Sequence, residues 1–362
     1  MVTISTKTPL IFISFCILLF SIIDQTLVES KKFKCTSNIQ QCKSIVEYIS
    51  PNTTTITTIQ SLFNVENLTD ILGVNNLPLS TPSTYTVQSR QPIKIPISCL
   101  CSNGTGKSNK VPVYKIVKDD GLYHIAFEIF SGLIVFQEIQ EANNISDANK
   151  ILVGQELWIP LPCSCDEVDG ERVVHYGFVV PPRSTVAGIA AQYNTTQDVL
   201  LRLNDLASAN DLKAEDVIDV PLKACASSIS ENSPDYPLLV SNGTYALTAQ
   251  GCVRCKCDAA NNYTLQCEPS QFNSSVQRNC SPLQCQGSGS LFIGNSTSSG
   301  CDRATCSYSG YNRNGTILTT LEQSTCPAPG QGNNASKFNF NIWRMSFIII
   351  AFHLMLFCIQ FT

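Results

Sequence analysis

Two Cys-x-Cys pairs, Cys99-Leu100-Cys101 and Cys163-Ser164-Cys165, constrain this chain more than any other feature, because their matching members are separated by the same interval. Successive side chains leave an extended backbone on opposite faces, so the two cysteines of one pair point away from each other. Bonding within a pair is disfavoured by the geometry a disulfide demands. Each pair therefore reaches outward, and the spacing predicts that it ties neighbouring units of an array together.

Eighteen cysteines in 362 residues suit an oxidising compartment. The ends of the chain agree. Residues 1–30 carry Lys7, an apolar run from Leu10 to Ile23 and a cleavage-compatible Val28-Glu29-Ser30, the pattern of a secretory signal peptide. The run is shorter than the roughly 20 apolar residues of a spanning anchor. At the other end a second apolar run, Phe347 to Phe361, has no Lys or Arg after it, against the habit of a spanning helix. Small residues Asn333-Asn334-Ala335-Ser336 and a polar spacer precede it, and the three parts together form a glycosylphosphatidylinositol (GPI) attachment signal. The expected propeptide is 335–362 with Asn334 as acceptor, Asn333 and Ser336 being alternatives; a tail-anchored span is the competing reading. Removing both ends takes Cys16 and Cys358 away and leaves sixteen cysteines, an even number that suits full pairing.

Asn-x-Ser/Thr sequons occur at Asn52, Asn67, Asn103, Asn144, Asn194, Asn242, Asn262, Asn273, Asn279, Asn295, Asn314 and Asn334. All but Asn334, which the lipid claims, are expected glycosylation sites. Only 14% of residues are charged and the formal net charge is -4, so nucleic acid is excluded as a partner.

Internal repetition appears at a period of about 50 residues. In the unit expected at 112–161, Tyr114-Lys115-Ile116-Val117 alternates like a strand and Asp119-Asp120 stands ready to cap a helix. Leu122, Ile125, Ala126, Ile129 and Phe130 fall on one face of that helix. A second helix with Phe136, Ile139 and Ala142 ends at Asn143-Asn144, and Leu157-Trp158-Ile159 returns as a strand closed by Pro160. The unit at 174–222 repeats this order, with Val186, Ile189, Ala190 and Tyr193, then Val199, Leu200 and Leu203, then Asn204 and Val220-Pro221. The interval from Asn204 to Pro221 equals that from Asn143 to Pro160. A looser first unit at 35–98 has Ile56, Ile59 and Phe63, then Ile71 and Asn75, and Ile95-Pro96 after a longer loop.

From 225 to 326 helical periodicity fades and cysteines crowd together. Cys252-Val253-Arg254-Cys255-Lys256-Cys257 has a spacing with which a zinc site can begin. With no histidine in the region and an oxidising compartment, disulfides are the favoured reading. Nine cysteines, an odd number, lie between Cys252 and Cys326, which predicts that Cys225 pairs into this module.

A strand-helix-helix-strand unit opening with Tyr and closing with an aliphatic-Pro strand, with Asn at the end of its second helix, resembles the LysM domain. Three such units joined by Cys-x-Cys seams, preceded by Cys35 and Cys42 and followed by a GPI signal, resemble the plant GPI-anchored LysM proteins. The fold this implies is α+β: three small βααβ LysM units stapled by disulfides, then a cysteine-rich, mainly β or irregular module. The resemblance also implies the pairs Cys35 with Cys101, Cys99 with Cys163, and Cys42 with Cys165; six cysteines by themselves permit 15 pairings.

The resemblance further implies that the loop after the first strand and the loop after the second helix lie side by side and form a shallow groove for chitin. In the second unit these supply Lys118, Asp119, Asp120, Gly121 and Leu122 on one side. Ile145, Ser146, Asp147 and Ala148, continuing to Ile151, supply the other. Backbone N–H and C=O groups there suit an N-acetyl group. Asp120-Gly121 stands where the family carries Asp-Thr, so this groove lacks a hydroxyl. The third unit has Ser184-Thr185, but Pro181-Pro182 stiffens its first loop.

Nothing in the chain points to catalysis. Once the two ends are removed, His124 and His175 are the only histidines, and neither is near a nucleophile motif. Glycoside hydrolysis needs two carboxylates facing across a cleft, and Asp119-Asp120 are adjacent. The implied function is that of a non-catalytic chitin oligosaccharide-binding co-receptor on the outer face of the plasma membrane. It would act in innate immune recognition with a LysM receptor kinase and could dimerise across a shared ligand. Peptidoglycan recognition and a structural role in the wall are the alternatives. No metal or cofactor is expected.

Overall fold

The computed structural model describes residues 32–37, 41–225, 229–270, 280–288 and 290–324. The expected leader at 1–30, the sequons at Asn273 and Asn279, Cys326 and the attachment region around Asn334 lie outside them.

The order strand, helix, helix, strand recurs three times. The first unit runs through Gln41–Ile49, Ile56–Leu62, Leu68–Val74 and Pro92–Ser102. In the second, Val113–Lys115 leads to the short helix Leu122–His124, which continues as a π-helix over Ile125–Ile129, then to Phe136–Ala142 and Glu156–Trp158. The third comprises Val173–Val179, Val186–Gln192, Gln197–Leu203 and Val217–Cys225. Helices of about seven residues are too short to hold in water alone. Their apolar stripes explain why they form: Ile56 and Ile59, Ile125 and Ala126, and Val186, Ile189 and Ala190 are all buried. Thr55 and Thr185 close two of the helix starts, each hydroxyl accepting from the backbone N–H three residues on.

One asparagine locks each unit. Asn143 Nδ2 donates to the carbonyls of Ile139 and Trp158, both at 2.8 Å, while its Oδ1 accepts from Trp158 N at 2.9 Å. Asn75 makes the same three bonds to Ile71 and Lys94, and Asn204 to Leu200 and Asp219. Each clamps the end of the second helix to the returning strand two residues before its proline. The equal Asn-to-Pro interval of the second and third units is how this clamp shows itself in the sequence. In the first unit the longer loop stretches the interval, but the step from Lys94 to Pro96 is kept.

The first and third units share a six-stranded sheet. Its order is Val240–Ser241, Val217–Cys225, Val173–Val179, Gln41–Ile49, Pro92–Ser102 and Thr105–Ser108. The two opening strands meet in parallel, with Ile45 opposite Tyr176 and Val46 opposite Gly177. At that joint Glu47 is buried and accepts from Tyr176 Oη at 2.6 Å and Val179 N at 3.2 Å. Burial raises the carboxyl's pKa despite these bonds and the nearby Lys94. The second unit stays outside this sheet and pairs only its own strands, Val113 with Trp158 through Lys115 with Glu156. It is fixed to the first unit by an edge-to-face series of rings: Tyr48 to Phe63 at 5.0 Å, Phe63 to Phe130 at 5.6 Å, and Phe130 to Tyr114 at 6.0 Å.

Disulfides join Cys35 to Cys101, Cys42 to Cys165 and Cys99 to Cys163. Neither Cys-x-Cys pair bonds internally, and each sends its two members to different places. Sulfurs of Cys35, Cys99, Cys101 and Cys165 lie within 4.8 Å of one another, so the bridges converge on one spot. All are consumed as disulfides, which leaves no thiolate for a metal.

Beyond Cys225, a three-stranded antiparallel sheet of Tyr245–Thr248, Val253–Lys256 and Gln266–Pro269 carries the cysteine-rich module. Cys225–Cys257 ties it to the third unit; Cys252–Cys280, Cys255–Cys267 and Cys285–Cys306 staple it internally. The zinc spacing of Cys252, Cys255 and Cys257 is thereby spent on disulfides. The module's first strand packs on the helix Leu68–Val74 at Gly73, where an added Cβ would stand 2.3 Å from the Tyr245 carbonyl oxygen.

By compactness the chain divides into 1–295 with 306–321, which contains everything above, and 296–305 with 322–362. In the second of these, Ser296–Ser299 pairs antiparallel with 302–305. Among the described residues no helix is long and apolar enough to cross a membrane.

Candidate functional site

The ladder of the second unit's two strands brings its two candidate loops together. Beyond Lys115 it continues through Ile116 N to Gln155 O at 2.9 Å and Gly154 N to Ile116 O at 2.8 Å. The first loop therefore leaves the ladder where the second loop's descending arm arrives.

Within the first loop, Lys118 and Asp119 are exposed, and Asp119 holds a positive φ of 71°. Asp120 does not cap the helix as the sequence suggests. Its carboxylate accepts instead from Tyr114 Oη at 2.9 Å and Val117 N at 2.8 Å, which closes the loop on itself. Only 2% of that side chain is exposed. Burial first, and the Asp120 bond second, push the Tyr114 hydroxyl far above its ordinary pKa. Gly121 is left as the N-cap with no side-chain bond, and an added Cβ there would meet nothing within 4 Å. Leu122, expected to meet the ligand, is 2% exposed and belongs to the core. The same apolar periodicity that placed Leu122 on the helix's inner face already pointed there.

Across from it, Ile145 N bonds to Gln140 O at 3.0 Å, which turns the chain out of the helix at Asn144, φ 54°. Ile145, Ala148 and Ile151 are half-buried and rest on the core, so they hold the loop's base while showing part of their surface. Ser146 is exposed. Asp147 accepts from Asn149 N at 3.0 Å and pairs with Lys150 at 3.4 Å. Of the nine expected ligand residues, Lys118, Asp119, Gly121, Ile145, Ser146, Asp147 and Ala148 thus offer surface, while Asp120 and Leu122 serve the scaffold.

Sequence reasoning passed over the apolar surface beside these loops. Val117, Leu152 and Val153 are 54%, 71% and 69% exposed, and they flank the point where the two loops join the ladder. Tyr123 and Phe127, one turn apart on the outer face of the helix, stack at 5.5 Å between centroids. The signal available was their position off the core-facing stripe.

The third unit's counterpart is differently furnished. Thr185 supplies the hydroxyl that Gly121 lacks, but it is spent on Gly188 N at 3.0 Å. Asn194 lies 3.5 Å from Tyr263 of the cysteine-rich module. His175 is buried, with Nδ1 within 2.9 Å of both Asp219 oxygens and Nε2 at 2.7 Å from the Asp166 carbonyl. Both ring nitrogens face groups that only accept, an arrangement that suits the doubly protonated ring. Burial opposes that charge, but Asp219 and the Asp166 carbonyl outweigh it and the His175 pKa is raised.

Residues 114–160 and 178–221 match the model of the LysM domain, which places the second and third units in that family. Over 329 residues the chain is 44% identical to "LysM domain-containing GPI-anchored protein 2" of Arabidopsis thaliana, covering 90% of this chain and 91% of that protein. It is 39% identical over 326 residues to the chitin elicitor-binding protein of Oryza sativa subsp. japonica, covering 88% of each. Chitin elicitor receptor kinase 1 of Physcomitrium patens is 23% identical over 189 residues, which span 52% of this chain and 28% of the kinase.

Proposed function

The chain belongs to the LysM domain-containing GPI-anchored proteins, and from that membership we propose that it captures chitin oligosaccharides at the cell surface without catalysing any reaction. The observation carrying this reading is similarity along nearly the whole chain to the chitin elicitor-binding protein. The open loops of the second unit supply a place for the sugar: exposed Lys118 and Asp119 with half-buried Gly121 for the N-acetyl group, and partly exposed Ile145 and Ala148 for the sugar face. The first βααβ unit, with the same asparagine clamp, is assigned as a divergent first LysM unit over 35–98, which brings the number of LysM units to three. The module over 225–326 serves as its C-terminal support.

A shallow groove with few hydrogen bonds holds a short oligomer at an affinity on the order of micromolar. A longer oligomer reaching grooves on two molecules gains from effective concentration, so that capture becomes dimerisation. A lipid-anchored protein has no cytoplasmic part of its own, and a LysM receptor kinase is the partner that would carry the signal of innate immunity inward. Release from cells by a phosphatidylinositol-specific phospholipase tests the anchor and the extracellular placement.

Titration with N-acetylglucosamine oligomers of increasing length tests the site. Affinity should rise with length and fall about tenfold in Ile145→Arg, with the melting temperature followed in parallel. Unchanged affinity would remove the site from these loops. Preferential binding of peptidoglycan fragments in competition would replace chitin as the ligand.

A further inference from the structure

A cleft of about 1400 Å³ separates the first unit from the cysteine-rich module. It is larger than the roughly 300–1000 Å³ of a small-molecule site. Its walls come from the strand Gln41–Ile49 and the helix Leu68–Val74 on one side and from 234–252 on the other. Charge is sparse there: Lys43, Asp70 and Asp235 are the charged residues lining it. Asp235 is already occupied, accepting from Ser233 Oγ, from Thr248 Oγ1 at 2.6 Å and from Tyr308 Oη at 2.7 Å. What remains is a wall of hydroxyls, amides, prolines and leucines, suited to a neutral polyhydroxyl ligand with apolar ring faces.

Asn67 and Thr69, the acceptor and hydroxyl residue of one sequon, both line this cleft. Asn67 is exposed and forms the N-cap of its helix, yet its side chain makes no bond to the helix backbone. Asp70 also lines the cleft; burial raises its carboxyl pKa, while Lys43 and then Asn67 oppose the rise. A glycosylated amide keeps one N–H, so modification still leaves Asn67 a donor. The eight other described sequon asparagines are also exposed but line no part of this cleft.

We propose that Asn67 carries an N-linked glycan whose first N-acetylglucosamine units lie in this cleft, filling it between the first unit and the cysteine-rich module. This rests on the extracellular reading above. In the transfer, the Asn67 amide nitrogen bonds to C1 of the first sugar. The lipid-diphosphate carrier of the donor leaves with the bonding pair, and the amide loses one proton. The glycan reaches Asn67 before the residues of 234–252 have folded, so the module closes against a sugar already in place.

Glycopeptide mass spectrometry of the full chain from a secretory host, before and after endoglycosidase treatment, tests this. The expected result is an Asn67 glycan that resists the native digestion that strips Asn103 and Asn314, and that is released after denaturation. Asn67→Gln and Thr69→Ala, which remove the same glycan in different ways, should both lower the melting temperature by several degrees and expose 234–252 to proteolysis. An unmodified Asn67 beside occupied sequons overturns the inference, as does release as fast as at Asn314. Absence of glycans from every sequon overturns the extracellular reading together with it.

Discussion

In the third unit both strands lie inside the six-stranded sheet, whereas the second unit keeps two three-residue strands to itself. Around that difference the surfaces diverge. Of the seven exposed large apolar side chains among the described residues, Val113, Val117, Tyr123, Phe127, Leu152 and Val153 belong to the second unit and none to the third. The third unit instead buries a charged pair, His175 with Asp219, where its strands meet the rest of the molecule. Two copies of one plan have thus specialised: one stabilises the body of the protein, and the other presents its loops to solvent.

Breaking the covalent support of the second unit should have the largest effect on this contrast. Cys99–Cys163 closes a span of 64 residues that contains the whole unit. Replacing both cysteines by alanine should cost about 4 kcal/mol on the chain-entropy argument. Hydrogen exchange should then quicken in 112–161 ahead of 174–222. Equal quickening in both would mean that the bridge does not serve the second unit in particular.

The third unit's charged pair gives the next effect. Because the His175 pKa is raised by folding, its contribution is complete below about pH 6.5, the ordinary value, and is lost as pH rises through the folded value. Asp219→Asn should destabilise by about 3 kcal/mol in acid. It should also flatten the decline of stability with rising pH, measured by denaturant unfolding at a series of pH values. A variant with an unaltered pH profile would show that the pair contributes nothing to that decline.

The smallest effect concerns the helix start. Gly121→Thr gives the second unit the cap that Thr55 and Thr185 provide in the others, in open space and at a φ of -125° that Thr adopts. A gain of a few tenths of a kcal/mol is expected. If the new hydroxyl projects into the groove, oligosaccharide affinity should change more than stability, which calorimetry on the same protein separates.

Much of the architecture was legible because its signals are local. The apolar stripes at Ile56 and Ile59 and at Val186 and Ile189 mark helices by their period, and the Asn-to-Pro interval marks a clamp that acts within one unit. The candidate site was less legible. Asp120 looks like a helix cap in sequence, but Tyr114 Oη and Val117 N reach its carboxylate first, and no pattern along the chain reports that competition. Leu122 satisfied two readings at once, and packing settled it in favour of the core.

The sequence by itself determined the repeated order of strand, helix, helix and strand, the outward reach of each Cys-x-Cys pair and the asparagine at each clamp, since these follow from periods and spacings within some 50 residues. Only the tertiary structure decided that the opening strands of the first and third units would pair in parallel across more than a hundred residues, leaving the second unit outside. Strand pairing at that range is chosen by which faces bury together, as Ile45 and Tyr176 do here, and the alternation of a strand does not name its partner.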